Sequence, residues 1–183
     1  SPKKPLMILG PSGSGKSLCA ELLAKEAGLE LVSFGCDDFS ADSVMAASSQ
    51  RSLSSRSKLI VIDELEGFRS FRDLVAVVKQ CRQPLMLLSS DEYSQRLSSL
   101  KRLAVNVRLL RPRSDAVFAF LKKVCDSESF SYEESALRTV SFSCAGDVRS
   151  ALIDLETLAP EITLSSLESA GYRSSSENMF SIL

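Results

Sequence analysis

Gly10-Pro11-Ser12-Gly13-Ser14-Gly15-Lys16-Ser17 follows the apolar run Leu6-Met7-Ile8-Leu9 and leads into Leu18-Cys19-Ala20-Glu21-Leu22-Leu23-Ala24. The order reads as a strand, a glycine-rich loop and an amphipathic helix. Glycines let the backbone curl until consecutive N–H groups face one point, and the helix N-terminus adds partial positive charge there. Lys16 has the reach to neutralise outer phosphates, and the Ser17 hydroxyl can ligate Mg²⁺. Residues 10–17 are therefore expected to bind a nucleoside triphosphate.

Working outward, the first 110 residues alternate short apolar runs with helical patterns, the mark of an α/β unit with a parallel sheet. Strands are predicted at 6–9, 29–34, 58–62, 84–89 and 104–109, with helices near 16–27, 41–49 and 69–81. Their successive apolar positions predict strands covered on both faces. Segment 48–57 holds six serines without apolar period. It reads as a surface loop, or alternatively as a basic Ser/Arg contact to phosphates. After Arg111-Pro112-Arg113 the pattern turns helical: Ser114 to Asp126, Tyr132 to Cys144 and Asp147 to Leu158. Ser114 and Asp147 are predicted N-caps, and Gly146 a helix stop. The predicted organisation is a core over 1–111, a helical lid over 112–170 and the start of a linker over 171–183.

Lys58-Leu59-Ile60-Val61-Ile62-Asp63-Glu64 is a buried strand ending in two carboxylates. Asp63 is expected to hold Mg²⁺ and Glu64 to polarise the water attacking the γ-phosphate. An adjacent acidic pair points toward a hydrolytic ATPase and away from small-molecule kinases. Pro84-Leu85-Met86-Leu87-Leu88-Ser89-Ser90-Asp91 is a second such strand, whose polar tip falls where parallel strands line a ligand crevice. Turn chemistry explains Ser-Ser-Asp equally well. Arg149, in the first turn of the last strong helix, opposes the helix dipole. An anionic partner such as phosphate and a surface salt bridge account for it equally.

Composition narrows the classes. The chain has 183 residues, 44% hydrophobic and 25% charged, with net charge −1. This describes an ordinary globular protein without strong sequence-independent affinity for nucleic acid. The absence of histidine excludes His triads and most zinc sites. The five cysteines are scattered without C-x-x-C spacing, as expected of reduced thiols in an intracellular protein. No apolar run reaches membrane-spanning length and Ser1-Pro2-Lys3-Lys4-Pro5 lacks a signal-peptide core.

Taken together, the phosphate loop, the Asp-Glu strand, the polar-tipped strand and the Gly-Asp-x-Arg lid resemble the AAA+ ATPases of the clamp-loader branch. The likeness is strongest to the large-subunit family of replication factor C, archaeal type. Gln83–Asp91 is similar to that family's Q-P-I-I-L-T-x-N-D, and Asp63–Phe68 to its D-E-V-D-G. Gly146–Leu155 is similar to G-D-x-R-x-A-I-N-D-L, and Asn178-Met179-Phe180 to the N-I-F before the family's collar. The resemblance implies an α/β P-loop NTPase (AAA+) fold, a parallel five-stranded sheet flanked by helices, followed by a small all-α lid domain. It implies ATP and Mg²⁺ as cofactors, with Gly10 to Ser17 as the ATP site and Ser17 and Asp63 at the metal. Lys16 and Glu64 would be catalytic, Ser90 would be sensor 1 and Arg149 sensor 2. Partners implied are other clamp-loader subunits in a pentamer, a sliding clamp and primer–template DNA, with an arginine finger supplied by a neighbour. Expected localisation is cytoplasmic and nucleoid-associated in a prokaryote, nuclear in a eukaryote.

Departures temper this. Sensor 1 is commonly Asn, where this chain has Ser90. Gly35-Cys36-Asp37-Asp38 replaces N-A-S-D and its following cations, and no Ser-Arg-Cys motif lies near Ser98–Arg102. The family's N-terminal segment and collar are missing, so the sequence reads as an excised core. A weakly hydrolytic scaffold subunit, an alternative clamp loader and an initiator or helicase loader are the other readings.

Overall fold

In the computed structural model, residues 4–49 and 57–171 are described. The Ser/Arg segment from 50 to 56, the Asn178-Met179-Phe180 motif and all but the first residue of the predicted linker lie outside them. The chain divides into two compact units, Ser1–Leu110 and Arg111–Leu183.

The first unit contains β1 (Leu6–Leu9), α1 (Lys16–Glu26), β2 (Glu30–Phe34), α2 (Ala41–Ser49) and β3 (Lys58–Ile62). It continues through α3 (Arg72–Gln80), β4 (Leu85–Ser89), α4 (Ser98–Leu103) and β5 (Val105–Arg108). The five strands run parallel in the order β2-β3-β4-β1-β5. In the β1–β4 register Leu9 faces Ser89, and Gly10 N–H extends that ladder to the Ser89 carbonyl at 3.2 Å. The C-terminal tips of β1, β4 and β3 are thereby adjacent, and all three predicted chemical segments sit on them.

Alternation explains the apolar runs. Met7, Leu9, Ile60, Ile62, Leu85 and Leu87 face one side of the sheet, packed with Leu74 and Val77 of α3 and Leu100 of α4. Ile8, Leu59, Val61, Met86 and Leu88 face the other, against Ala20 and Ala24 of α1. Two expectations need correction. Only β1, β3 and β4 are covered on both faces; β2 and β5 are edges, and Val105 and Val107 are 52% and 41% exposed. Helix α1 forms as predicted, but it lays its alanines on the sheet. Leu18 and Leu22 remain 57% and 53% exposed. Small side chains on the inner face let the helix lie close to the strands, and this turns the leucines outward.

Gly10 is required for space. Its φ is not positive, but a Cβ there would lie 2.6 Å from the Leu109 carbonyl oxygen and 3.0 Å from Leu109 Cβ. Leu109 cannot simply retreat, because its N–H is bonded to Leu9 O at 2.7 Å. Gly10→Ala is expected to lower unfolding free energy by about 1–3 kcal/mol through this overpacking. Urea denaturation of the two proteins measures it, and an unchanged midpoint would refute the steric argument.

The second unit contains α5 (Ser114–Glu128), β6 (Ser131–Tyr132), α6 (Glu134–Ser143), α7 (Val148–Leu158), β7 (Glu161–Ile162) and α8 (Leu164–Ser169). Val117, Leu121, Leu137, Val140, Leu155 and Leu167 close its core. The two-residue parallel pair β6–β7 was not expected in a helical module; it ties the ends of α5 and α7 together through Ser131 and Glu161. Asp147 caps α7, accepting from Ser150 N–H at 3.0 Å. Ser114, in contrast, is the first residue of α5 rather than its cap. Arg113 takes the cap position with its carbonyl accepting from Ala116 and Val117, so the backbone alone closes that end. Ala145 and Gly146, at φ 47° and 83°, break the chain between α6 and α7.

Candidate nucleotide site

Gly13 and Gly15 take φ of 70° and 87°, left-handed values that glycine adopts without a Cβ penalty. They fold Pro11, Ser12 and Ser14 into the turn ahead of α1. Gly15 is the N-cap of α1 and no side chain caps that helix, so its first-turn N–H groups are left to an external acceptor. Ser14 Oγ is buried without a hydrogen-bond partner among the described residues. An orphaned hydroxyl and uncapped amides in one loop are the chemistry of an anion site.

Lys16 is 8% exposed. Its Nζ donates to the carbonyls of Gly10 at 2.8 Å and Pro11 at 2.9 Å, and to Ser90 Oγ at 3.2 Å. The ammonium thus joins the loop to the tip of β4. Ser17 Oγ donates to Asp63 Oδ2 at 2.8 Å, and Asp63 Oδ1 accepts from Glu64 N–H at 2.7 Å. A hydroxyl beside a carboxylate fits Mg²⁺, which prefers hard oxygen ligands and keeps several waters. Among the described residues no group of three or more Asp, Glu, Cys or His side chains could hold a metal.

Glu64 follows β3 in a left-handed conformation, φ 55° and ψ 46°, which projects it beyond the strand. Cys36, just past β2, places Sγ 3.9 Å from Glu64 Oε2. Burial, with the charges of Asp37 and Glu64, pushes the Cys36 thiol pKa up. It stays protonated and donates toward the carboxylate. Arg149 lies exposed in the first turn of α7, in the second unit.

Glu66 was quoted in the Asp63–Phe68 motif without a role. Its carboxylate accepts from Ser89 Oγ at 2.9 Å and from Ser90 N–H at 3.1 and 3.2 Å. Burial raises its pKa, but backbone hydrogen bonds at Glu66 and Ser90, with the hydroxyls of Ser89 and Ser90, outweigh that and hold it below the usual value. Glu66 is therefore ionised at neutral pH, and its bonds persist until pH falls through the lowered folded-state pKa. Glu66 lies two residues past the Asp63-Glu64 pair, and the turn over Leu65–Gly67 that brings it beside β4 carried no signal in the motif. Cys36 carried none, because its approach to Glu64 depends on the β2–β3 register.

The model of the family described as "ATPase family associated with various cellular activities (AAA)" matches residues 6–100. The chain belongs to this AAA family. A second model, the RCF1/5-like AAA+ ATPase lid domain, matches residues 119–159. Among curated relatives, the replication factor C large subunit of Methanosphaera stadtmanae is 30% identical over 98% of this chain. That of Pyrobaculum calidifontis is 31% identical over 97%. The chain spans 36% and 46% of those relatives' lengths. Among solved structures, a Thermotoga maritima RuvB mutant aligns over 92% of this chain and 63% of its own, with TM-score 0.70 and 16% identity. The last likeness is one of fold: an AAA+ P-loop sheet followed by a helical module. The AAA assignment implies nucleotide and a divalent cation, and the donors at Ser17 and Asp63 fit that pair. Among the described residues no helix is long and apolar enough to cross a membrane.

Proposed function

We propose that this chain is the ATP-binding and hydrolysing core of a DNA sliding-clamp loader subunit. In this reading it couples ATP binding and hydrolysis to opening a clamp and loading it on primer–template DNA. The observation that carries it is the pairing of Lys16 with Ser90 and Ser17 with Asp63 on adjacent strand tips, in a chain whose lid matches the clamp-loader type. The relatives named replication factor C large subunit support the same assignment.

The loop amides of Gly10 to Gly15 cradle phosphate oxygens, and Lys16 exchanges its carbonyl contacts for them. Ser17 and Asp63 would hold Mg²⁺, which when bound neutralises charge on the outer phosphates. Glu64 takes the proton of the attacking water, and Ser90 orients that water. Arg149 reports the γ-phosphate to the lid, and a neighbouring subunit supplies an arginine. Residues 1–111 are the ATPase core and 112–170 the lid. Partners are the other subunits of a pentamer, a clamp and DNA, in the nucleoid region of a prokaryote or the nucleus of a eukaryote.

Full-length protein expressed with small clamp-loader subunits and a sliding clamp is expected to co-purify with both, the clamp only when ATP is present. Co-purification with neither would overturn the reading. A scaffold role with little hydrolysis is favoured by one feature, the short Ser90 hydroxyl at the sensor position. It predicts an unchanged total ATPase rate when only this subunit's Lys16 is replaced.

A further inference from the structure

Ser90 lies between two groups of opposite hydrogen-bonding sense, one at its hydroxyl and one at its N–H. Lys16 Nζ, 3.2 Å away, can only donate. Glu66, on the other side, carries an ionised carboxylate that can only accept, and it already takes the Ser90 N–H at 3.1 Å and the Ser89 hydroxyl at 2.9 Å. A hydroxyl has one proton and two lone pairs. That of Ser90 accepts from the Lys16 ammonium with one lone pair, which leaves the proton and the other lone pair for the cleft.

We propose that Glu66 is a positioning residue which fixes the place of Ser90, so that the Ser90 hydroxyl stands where it can orient the attacking water. The proposal rests on the reading of this site as an ATPase. A hydroxyl held there can hydrogen-bond the attacking water and align it with Glu64. The anchor is double: Glu66 holds the Ser89 hydroxyl and the Ser90 N–H. Its own solvent exposure makes these bonds compete with water, so the effect is moderate.

Glu66→Gln tests this in the full-length protein within its assembled complex. The glutamine is isosteric but brings an NH₂ donor where the carboxylate accepts from both the Ser89 hydroxyl and the Ser90 N–H, which loosens the hold on Ser90. Single-turnover ATP hydrolysis is read as the part of the complex's rate that Glu64→Gln removes. Glu66→Gln is expected to lower that part about tenfold, a cost in the range of small misplacements in an active site. The nucleotide Kd should stay within about threefold, since the lost interaction belongs to the reacting state. In a Ser90→Ala background Glu66→Gln should add less than about a further twofold, because coupled residues are not additive. Glu66→Asp keeps the charge and the two acceptor oxygens and should recover most of the rate.

A normal rate in Glu66→Gln overturns the proposal, as does its full effect persisting in Ser90→Ala. Loss of rate and nucleotide binding in parallel, without recovery in Glu66→Asp, would make Glu66 a purely structural residue and also overturn it. If Glu64→Gln removes no hydrolysis at all, the ATPase reading itself fails, an outcome distinct from the others.

Discussion

Lys16→Ala is expected to raise the nucleotide dissociation constant by about a hundredfold or more, equivalent to roughly 2.7 kcal/mol. A triphosphate brings several negative charges to a loop, Gly10–Ser17, whose cation is Lys16. At an effective dielectric constant near 20, one unit pair at contact distance is worth about 4 kcal/mol before desolvation. Lys16 is already desolvated and held among Gly10 O, Pro11 O and Ser90 Oγ, so little ordering remains to be done on binding. Alanine removes the charge but leaves the uncapped amides of α1 in place, so residual affinity from the loop itself should remain. Loss of the Lys16 bonds to Gly10 O, Pro11 O and Ser90 Oγ should cost the nucleotide-free protein about 1–3 kcal/mol, because the buried Gly10 carbonyl loses this donor. Titration calorimetry measures the affinity and thermal denaturation separates the two effects. Nucleotide at a hundred times the Kd should stabilise the unsubstituted protein by about 2.7 kcal/mol and the variant by almost nothing. An affinity change below about threefold would mean that Lys16 serves the loop's structure rather than the phosphates.

That the charge, the hydroxyl and the carboxylates converge was readable before any coordinates. Each sits at the end of an apolar run, and parallel strands deliver their C-terminal ends to one edge of a sheet. The runs themselves were legible because β1, β3 and β4 are central, so both faces are apolar. Edge position was not legible: β5 is Val-Asn-Val-Arg, and nothing in four residues says which strand it will pair with. The inner face of α1 was not legible for a related reason. Periodicity gives weight to leucine, yet close helix–sheet approach selects Ala20 and Ala24. The short β6–β7 pair arises from chain closure in the second unit, a long-range event with no local pattern. At the site, the sequence supplied the residues that touch substrate in the proposed chemistry. It missed Glu66 as a support, since hydrogen bonds to Ser89 and Ser90 follow from the turn over Leu65–Gly67 rather than from motif spacing.

Glu64→Gln should abolish hydrolysis by this subunit while leaving nucleotide binding intact. General-base contributions run to about 10²–10⁴ in rate, and glutamine keeps the size and hydrogen-bonding reach of the side chain while losing its basicity. ATP affinity should be equal or slightly tighter, since one negative charge facing the triphosphate disappears. Single-turnover hydrolysis in the assembled complex is the check, with nucleotide affinity measured on the same preparation; a normal rate would exclude Glu64 as the base. The backbone at this residue makes a second substitution informative. A non-glycine residue at φ 55° costs about 1–2 kcal/mol, and it is tolerated here where the side chain must leave the strand tip. Glu64→Gly removes that strain together with the carboxylate. It should therefore be as inactive as Glu64→Gln yet about 1 kcal/mol more stable to denaturant, after allowing for the greater freedom of glycine in the unfolded chain. Glu64→Gln retains the left-handed backbone and should show no such gain. If both variants unfold alike, the conformation of residue 64 carries no strain. If only the glycine variant is stabilised, the site holds its catalytic carboxylate at a cost in fold stability, which is the trade expected where a side chain is placed for chemistry rather than packing.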